Sequence, residues 1–332
     1  MPVRGTNRRA FVAGLAGAAA WPIVTRAQQR QNVPLVGVLS PGFTDPPGLS
    51  AFYEALHDLG YTEGQNIRLE RRYADWKPER FTELAADLVR LKVDLIVVMS
   101  TSPARAVEQA TNTIPIIVAG MADPVGDELV ATLARPGGNI TGNTFLGPEL
   151  IPKRFGLFKQ AVPRLSRLAA LLHPNAYGKR TIEGMLKETE VASRAIGVEL
   201  QLFKALDPND IESAFSGITG SRSEGIIVMP SPMLYAEHRR IAELAASNRL
   251  PAMYAAREFV EAGGLMSYGA NLSDLGQRTA VYADRILKGN KPADLPIEQP
   301  TKFELLVNLK TASELNLTIP REFLLLVDEV IE

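Results

Sequence analysis

From residue 33 onward, apolar and polar positions alternate in a way that predicts strand after helix after strand. The stretch 33–40 is apolar enough for a buried strand. Phe52, Ala55, Leu56 and Leu59 follow at helical spacing, and Gly60 marks the helix end. The stretch 67–73 reads as a second strand. Phe81, Leu84, Ala85 and Leu88 form the next helical stripe, with Pro78 near its start. After Asp94 the segment 93–100 is continuously apolar, as expected of a parallel strand covered on both faces. A short helix over 103–110, a strand over 114–121 and a fourth helix over 124–134 complete the first set. Residues 135–142 (RPGGNITG) then break the rhythm.

The alternation restarts beyond that break. Strands are expected at 168–173, 198–204, 225–229 and 251–255, with helices at 177–196, 208–218 and 233–248. Two successive strand–helix sets predict an α/β protein of two doubly wound, parallel-sheet lobes. Two further breaks, at 263–269 and 292–300, imply three chain crossings between the lobes. The expected division is 33–144 plus 266–296 for the first lobe and 145–265 plus 297–332 for the second. The length of 332 residues accommodates two domains of about 150 residues each.

Strand ends carry a repeated device. Ser40-Pro41, Ser102-Pro103, Asp123-Pro124, His173-Pro174 and Ser231-Pro232 each place a polar residue before a proline. Ser and Asp cap helices, and proline is tolerated at the first helical position, so each pair predicts a helix start at the carboxyl end of a strand. Ligands of open parallel sheets bind outside those ends, and helix N-termini favour anions. Taken one at a time, each pair needs no role beyond starting a helix. As a set on two facing lobes they point to a cleft for a small carboxylate.

Residues 1–27 read as an export signal rather than as part of the fold. Arg4, Arg8 and Arg9 precede an apolar stretch over 10–21 that is too short to span a bilayer, and Thr25-Arg26-Ala27 offers small residues for cleavage before Gln28. Asn7-Arg8-Arg9-Ala10-Phe11 also fits a twin-arginine signal. Composition narrows the rest. Charged residues make up 22% and the net charge is −1, with no basic cluster for nucleic acid. Cysteine is absent, which removes disulfides, a thiol nucleophile and a lipid-anchored N-terminus. Neither a nucleophile elbow nor a phosphate loop nor a metalloprotease motif occurs. The three histidines, His57, His173 and His238, are far apart in sequence, so no metal site and no cofactor is expected; His173 is the one placed to border a cleft.

Several blocks together carry a resemblance: LGYTEGQN over 59–66, LAADLV over 84–89, ADPV over 122–125, RPGGNITG over 135–142, GGLMSYG over 263–269, EQPTKFE over 298–304 and NLKTA over 308–312. The chain resembles the ABC-transporter substrate-binding proteins related to tryptophan- and tyrosine-binding periplasmic proteins. The resemblance implies a type I periplasmic-binding fold with a three-crossing hinge, a periplasmic monomer without catalysis, and permease subunits as partners. It also implies a small carboxylate as ligand, such as an aromatic or apolar amino acid or a related compound. Ser40, Thr101 and Ser102 are the candidates for its carboxylate, and Asp123 for an ammonium. Asn175, Ser231, Tyr254 and Glu258 are expected from the second lobe. Phe43, Phe145, Tyr235, Tyr254 and Tyr268 are candidate walls. A periplasmic sensor feeding a membrane receptor is the alternative reading, and an enzyme on the same scaffold a more distant one.

Overall fold

The computed structural model describes residues 33–332, so the segment read as an export signal lies outside the described residues. The first lobe is built from β1 (Leu35–Ser40), α1 (Pro47–Asp58), β2 (Arg68–Tyr73), α2 (Phe81–Arg90), β3 (Leu95–Met99), α3 (Thr101–Ala110), β4 (Ile116–Met121) and β5 (Ile140–Thr144). Its five strands are all parallel, in the order β2-β1-β3-β4-β5. Period-two alternation sends successive side chains to opposite faces. Accordingly Val36, Val38, Leu95 and Val97 join one core, and Leu35, Leu39, Ile96 and Val98 join the other. Both faces are therefore covered, which is why β1 and β3 read as unbroken apolar runs.

The second lobe follows with α4 (Ile151–Ala161), β6 (Arg167–Leu172), α5 (Lys179–Ala195), β7 (Glu199–Lys204), α6 (Asp210–Gly220), β8 (Gly225–Val228), α7 (Pro232–Ala236), α8 (His238–Ser247), β9 (Ala252–Tyr254), α9 (Arg257–Glu261) and β10 (Met266–Ala270). The chain returns through α10 (Leu272–Leu287), which packs on α1, then adds β11 (Phe303–Asn308), α11 (Leu309–Glu314), α12 (Arg321–Leu324) and β12 (Glu329–Ile331) to the second sheet. That sheet has seven strands in the order β12-β11-β10-β9-β8-β6-β7, with β10 and β11 antiparallel. Among the described residues no helix is long and apolar enough to cross a membrane.

The chain passes between the two sheets three times: after β5, after β10 and between Glu298 and Phe303. The first-lobe segment expected to begin at 266 begins later. Met266 pairs with Met253 and Val307, so β10 lies inside the second sheet, and the crossing follows Ala270. The break at Gly263-Gly264 is the turn from α9 into β10. The tail likewise leaves the first lobe later than 297. Ile297 N–H donates to the Leu133 carbonyl at 2.7 Å and Glu298 N–H to that of Gly142 at 3.0 Å. Gly142, in the middle of β5, has φ +139°, and a Cβ there would sit 2.1 Å from the Val118 carbonyl oxygen, so only glycine fits this position.

Two local expectations change. The segment expected as a helix over 124–134 is a chain of turns and bends. Glu128 takes φ +57°, and Leu129 N–H reaches back to the Pro124 carbonyl at 2.9 Å, which closes the turn. Its apolar residues Leu129 and Val130 still enter the first-lobe core, which explains the helix-like spacing. Of the five polar–proline pairs, Ser231-Pro232 starts a helix as expected, with Ser231 Oγ accepting from Leu234 N–H at 3.0 Å. After Ser40 and after His173 the chain makes a turn, and α1 and α5 start several residues later. Ser102 lies inside α3, which already starts at Thr101.

Candidate functional site

A cavity with an empty volume of about 920 Å³, counting its open mouth, lies between the lobes at the carboxyl ends of β3, β4 and β8. This is where open parallel sheets place ligands. The first lobe lines it with Gly48, Met99, Ser100, Ala119 and Gly120, and α10 adds Leu272 and Leu275. The second lobe contributes Arg154, Tyr177, Met229, Ser231, Tyr235 and Phe259, and Phe145 lines the cavity from the first crossing.

Arg154 is the charge in this wall. It sits on the α4 face that also carries Ile151, Phe155 and Phe158, all fully buried, and is itself 2% exposed. Its Nε donates to the Tyr268 carbonyl at 2.8 Å, while Nη1 is buried without a partner among the described residues. Burial pushes its pKa down to about 10, opposed by the neighbouring Tyr177 and Tyr268 hydroxyls. It therefore stays cationic at neutral pH. A buried charge without a counter-ion is costly, so an anion entering the cavity finds a strong, ready partner. Phe145 and Tyr177 flank this end with ring centroids 5.7 Å apart.

Ser100 forms the opposite wall in an unusual backbone state. It follows β3 and precedes α3 with φ 82° and ψ 170°, a region that residues with a Cβ rarely occupy. Tyr235 stands on α7, its hydroxyl buried and pushed up in pKa by burial and by the neighbouring Glu258 carboxylate. Burial in turn raises Glu258 above the usual carboxylate range.

The lobes touch beside the cavity. Ser102 Oγ lies 3.4 Å from the Asn175 carbonyl and 3.3 Å from that of Ala176. Thr181 N–H, in the first turn of α5, reaches Asp127 Oδ1 at 3.4 Å, and Arg180 pairs with Glu128 at 2.5 Å. First-lobe side chains thus cap a second-lobe helix, in a closed arrangement.

The residues singled out from sequence are dispersed by comparison. Ser231 lines the cavity, as do Phe145 and Tyr235 of the expected walls. Ser40 is buried and donates to the Thr44 carbonyl at 3.4 Å. Phe43 is 60% exposed. Thr101 is buried at the start of α3, with Oγ1 lacking a partner among the described residues. Ser102 and the exposed Asn175 belong to the contact between lobes. Asp123 Oδ1 accepts from Gly126 N–H at 2.7 Å and so closes its own turn. Tyr254 is in the second-lobe core, its ring stacked on Phe259 at 4.5 Å. Glu258 stands behind Tyr235, and Tyr268 offers its carbonyl to Arg154. His173 borders a smaller cavity and is held neutral by burial, with a pKa lowered to about 4. Arg154 was missed. Its signal was present in the sequence as a charge within the apolar stripe Ile151, Phe155, Phe158.

Known proteins share this architecture. Residues 47–331 match the model of the family described as ABC transporter substrate binding protein. The chain is 26% identical over 267 residues to a tyrosine-binding protein of Clostridioides difficile (strain R20291), covering 80% of this chain and 75% of that one. A conserved domain protein from Vibrio cholerae superposes with a TM-score of 0.81 at 26% identity, over 90% of this chain and 99% of that one. An ABC domain from Streptococcus pneumonia, solved in complex with L-Trp, superposes with a TM-score of 0.79 at 27% identity and the same coverage. The match to the family model spans most of the chain, and the two mostly parallel sheets with three crossings agree with it: this chain belongs to the ABC transporter substrate-binding proteins.

Proposed function

We propose that this protein works outside the cytoplasm as the capturing component of an ABC uptake system. It holds a small carboxylate with an aromatic or apolar body between its lobes and presents it to membrane permease subunits. The observation that carries the reading is Arg154: a buried guanidinium without a carboxylate partner among the described residues, on the wall of a cavity also lined by Met99, Phe145, Met229, Tyr235 and Phe259. A carboxylate on Arg154 satisfies the buried donors, and the apolar walls take the rest of the molecule. The named ligands of the relatives, tyrosine and L-Trp, each join a carboxylate to an aromatic ring, which supports the same chemistry. Export is supported by Arg8-Arg9 and the apolar stretch after them. Binding without turnover, by a single copy of the chain, completes the reading.

A thermal-shift screen of aromatic and aliphatic acids tests it, because a ligand of the folded state raises the melting temperature. The expected hits are carboxylates whose effect disappears in Arg154→Met. Hits that are uncharged sugars or cations, unaffected by that substitution, would overturn the carboxylate reading.

A further inference from the structure

Resting on that carboxylate reading, we infer that the ligand is a monocarboxylate with an aromatic or apolar body and no ammonium group beside its carboxylate. The charges lining the cavity point to this. Arg154 lines it, and among the described residues no Asp or Glu does. A bound monocarboxylate pairs with Arg154 and leaves a neutral complex. An α-amino acid brings its ammonium on the carbon next to the carboxylate, hence close to the same guanidinium. The complex then keeps one net positive charge inside a cavity walled by Phe145, Tyr177, Tyr235 and Phe259. An uncompensated charge in such surroundings is disfavoured.

Two of the carboxylates nearest the site are engaged elsewhere. Asp123 closes its own turn through Gly126 N–H. Asp127 accepts from the first turn of α5. Glu258 lies between the lining residues Ala256 and Phe259 in sequence but is not itself on the cavity surface; it stands beside the Tyr235 hydroxyl, with one carboxylate oxygen buried and without a partner among the described residues. The polar groups that do line the cavity, Ser100, Ser231, Tyr177 and Tyr235, are neutral hydroxyls. These suit a carbonyl, hydroxyl or ring substituent on an aromatic acid, and Ser231 Oγ already accepts from Leu234 N–H.

A matched series separates the possibilities: 3-phenylpropanoate, L-phenylalanine and 3-phenylpropanamide, alongside indole-3-propanoate and L-tryptophan, titrated by calorimetry at neutral pH into the wild type and into Arg154→Met. Each acid is expected to bind at least about tenfold more tightly than its amino acid. The amide is expected to bind weakly, and Arg154→Met to remove the advantage of the acid. An amino acid that binds as tightly as its acid or more so overturns the inference; if its binding still needs Arg154, the carboxylate reading stands. Loss of that amino-acid binding in Glu258→Gln would then locate the ammonium at Glu258. Equal binding of acid and amide, indifferent to Arg154→Met, overturns the carboxylate reading along with the inference.

Discussion

The two lobes contribute to the cleft in opposite ways. The first presents backbone and small residues, Gly48, Ala119, Gly120 and Ser100 in a strained conformation, together with the apolar side chains of Met99, Leu272 and Leu275. The second presents side chains, among them a buried cation, two tyrosines and a phenylalanine. One wall is a shaped surface and the other holds the chemistry. The shaped wall should therefore be sensitive to added atoms, and the chemical wall to removed ones.

The largest effect is expected in the second lobe. Arg154→Met removes a buried charge partner and should weaken carboxylate binding by about 2–5 kcal/mol, roughly 30-fold to several thousand-fold. The ligand-free protein should melt at the same temperature or higher, because an apolar replacement of a buried unpaired charge is neutral to stabilising. Calorimetry and melting curves on one variant check both, and a fall in melting temperature would reassign Arg154 to holding the fold together.

Adding a methyl group to the other wall is the counterpart. A Cβ at Gly276 would sit 2.0 Å from the Gly48 carbonyl oxygen, where α10 crosses α1. Gly276→Ala should destabilise the protein by about 1–3 kcal/mol through forced displacement of the two helices, read from urea unfolding. An unchanged midpoint would show that the wall yields easily.

His173 distinguishes the lobes by pH. Its folded pKa of about 4 lies below the ordinary histidine value of 6.5, so the ring resists protonation only in the folded state. Its contribution is complete above pH 6.5 and is lost as pH falls toward 4, because the unfolded chain takes up the proton first. About 3 kcal/mol should disappear across that window, less in His173→Asn. Urea midpoints at several pH values measure it; an equal slope in the variant would assign the loss to other groups.

A smaller effect is expected at the contact between lobes. Asp127→Ala removes the cap on α5 without touching the cavity, and caps are worth about 0.5–2 kcal/mol. Affinity should fall by about fivefold, through a less favourable closed arrangement rather than a lost ligand contact. Scattering of the liganded variant should show a less compact particle, and unchanged affinity would make the contact incidental. The smallest expected change is a gain. Ser100→Gly relieves the positive φ and should stabilise the protein by about 1 kcal/mol, with affinity nearly constant. A loss of affinity instead would give the Ser100 hydroxyl a role on the ligand.

The same contrast explains what the sequence revealed. The sheets were legible because β1, β3, β4 and β6 are covered on both faces and so carry unbroken apolar runs. The sheet that β10 joins was not, because MSYGA fits either lobe and its pairing with β9 and β11 is decided by distant segments. The segment after Pro124 has helical spacing in Val125, Leu129 and Val130, yet the left-handed turn at Glu128 sends the chain elsewhere. Polar residues before prolines located the carboxyl ends of strands, hence the cleft. They misplaced the binding groups, since Ser102 and Asp123 are occupied by local or inter-lobe hydrogen bonds that no local pattern encodes. Arg154 stood in plain view on an apolar stripe, but its solitude became evident only once its surroundings were known.

The most direct measurement is an experimental structure of the protein with a bound aromatic acid. The account requires the carboxylate oxygens to lie about 2.7–2.9 Å from the Arg154 guanidinium, with the ring between Phe145, Tyr235 and Phe259. A carboxylate held instead at the first turn of α3, with Arg154 still unpaired, would contradict it.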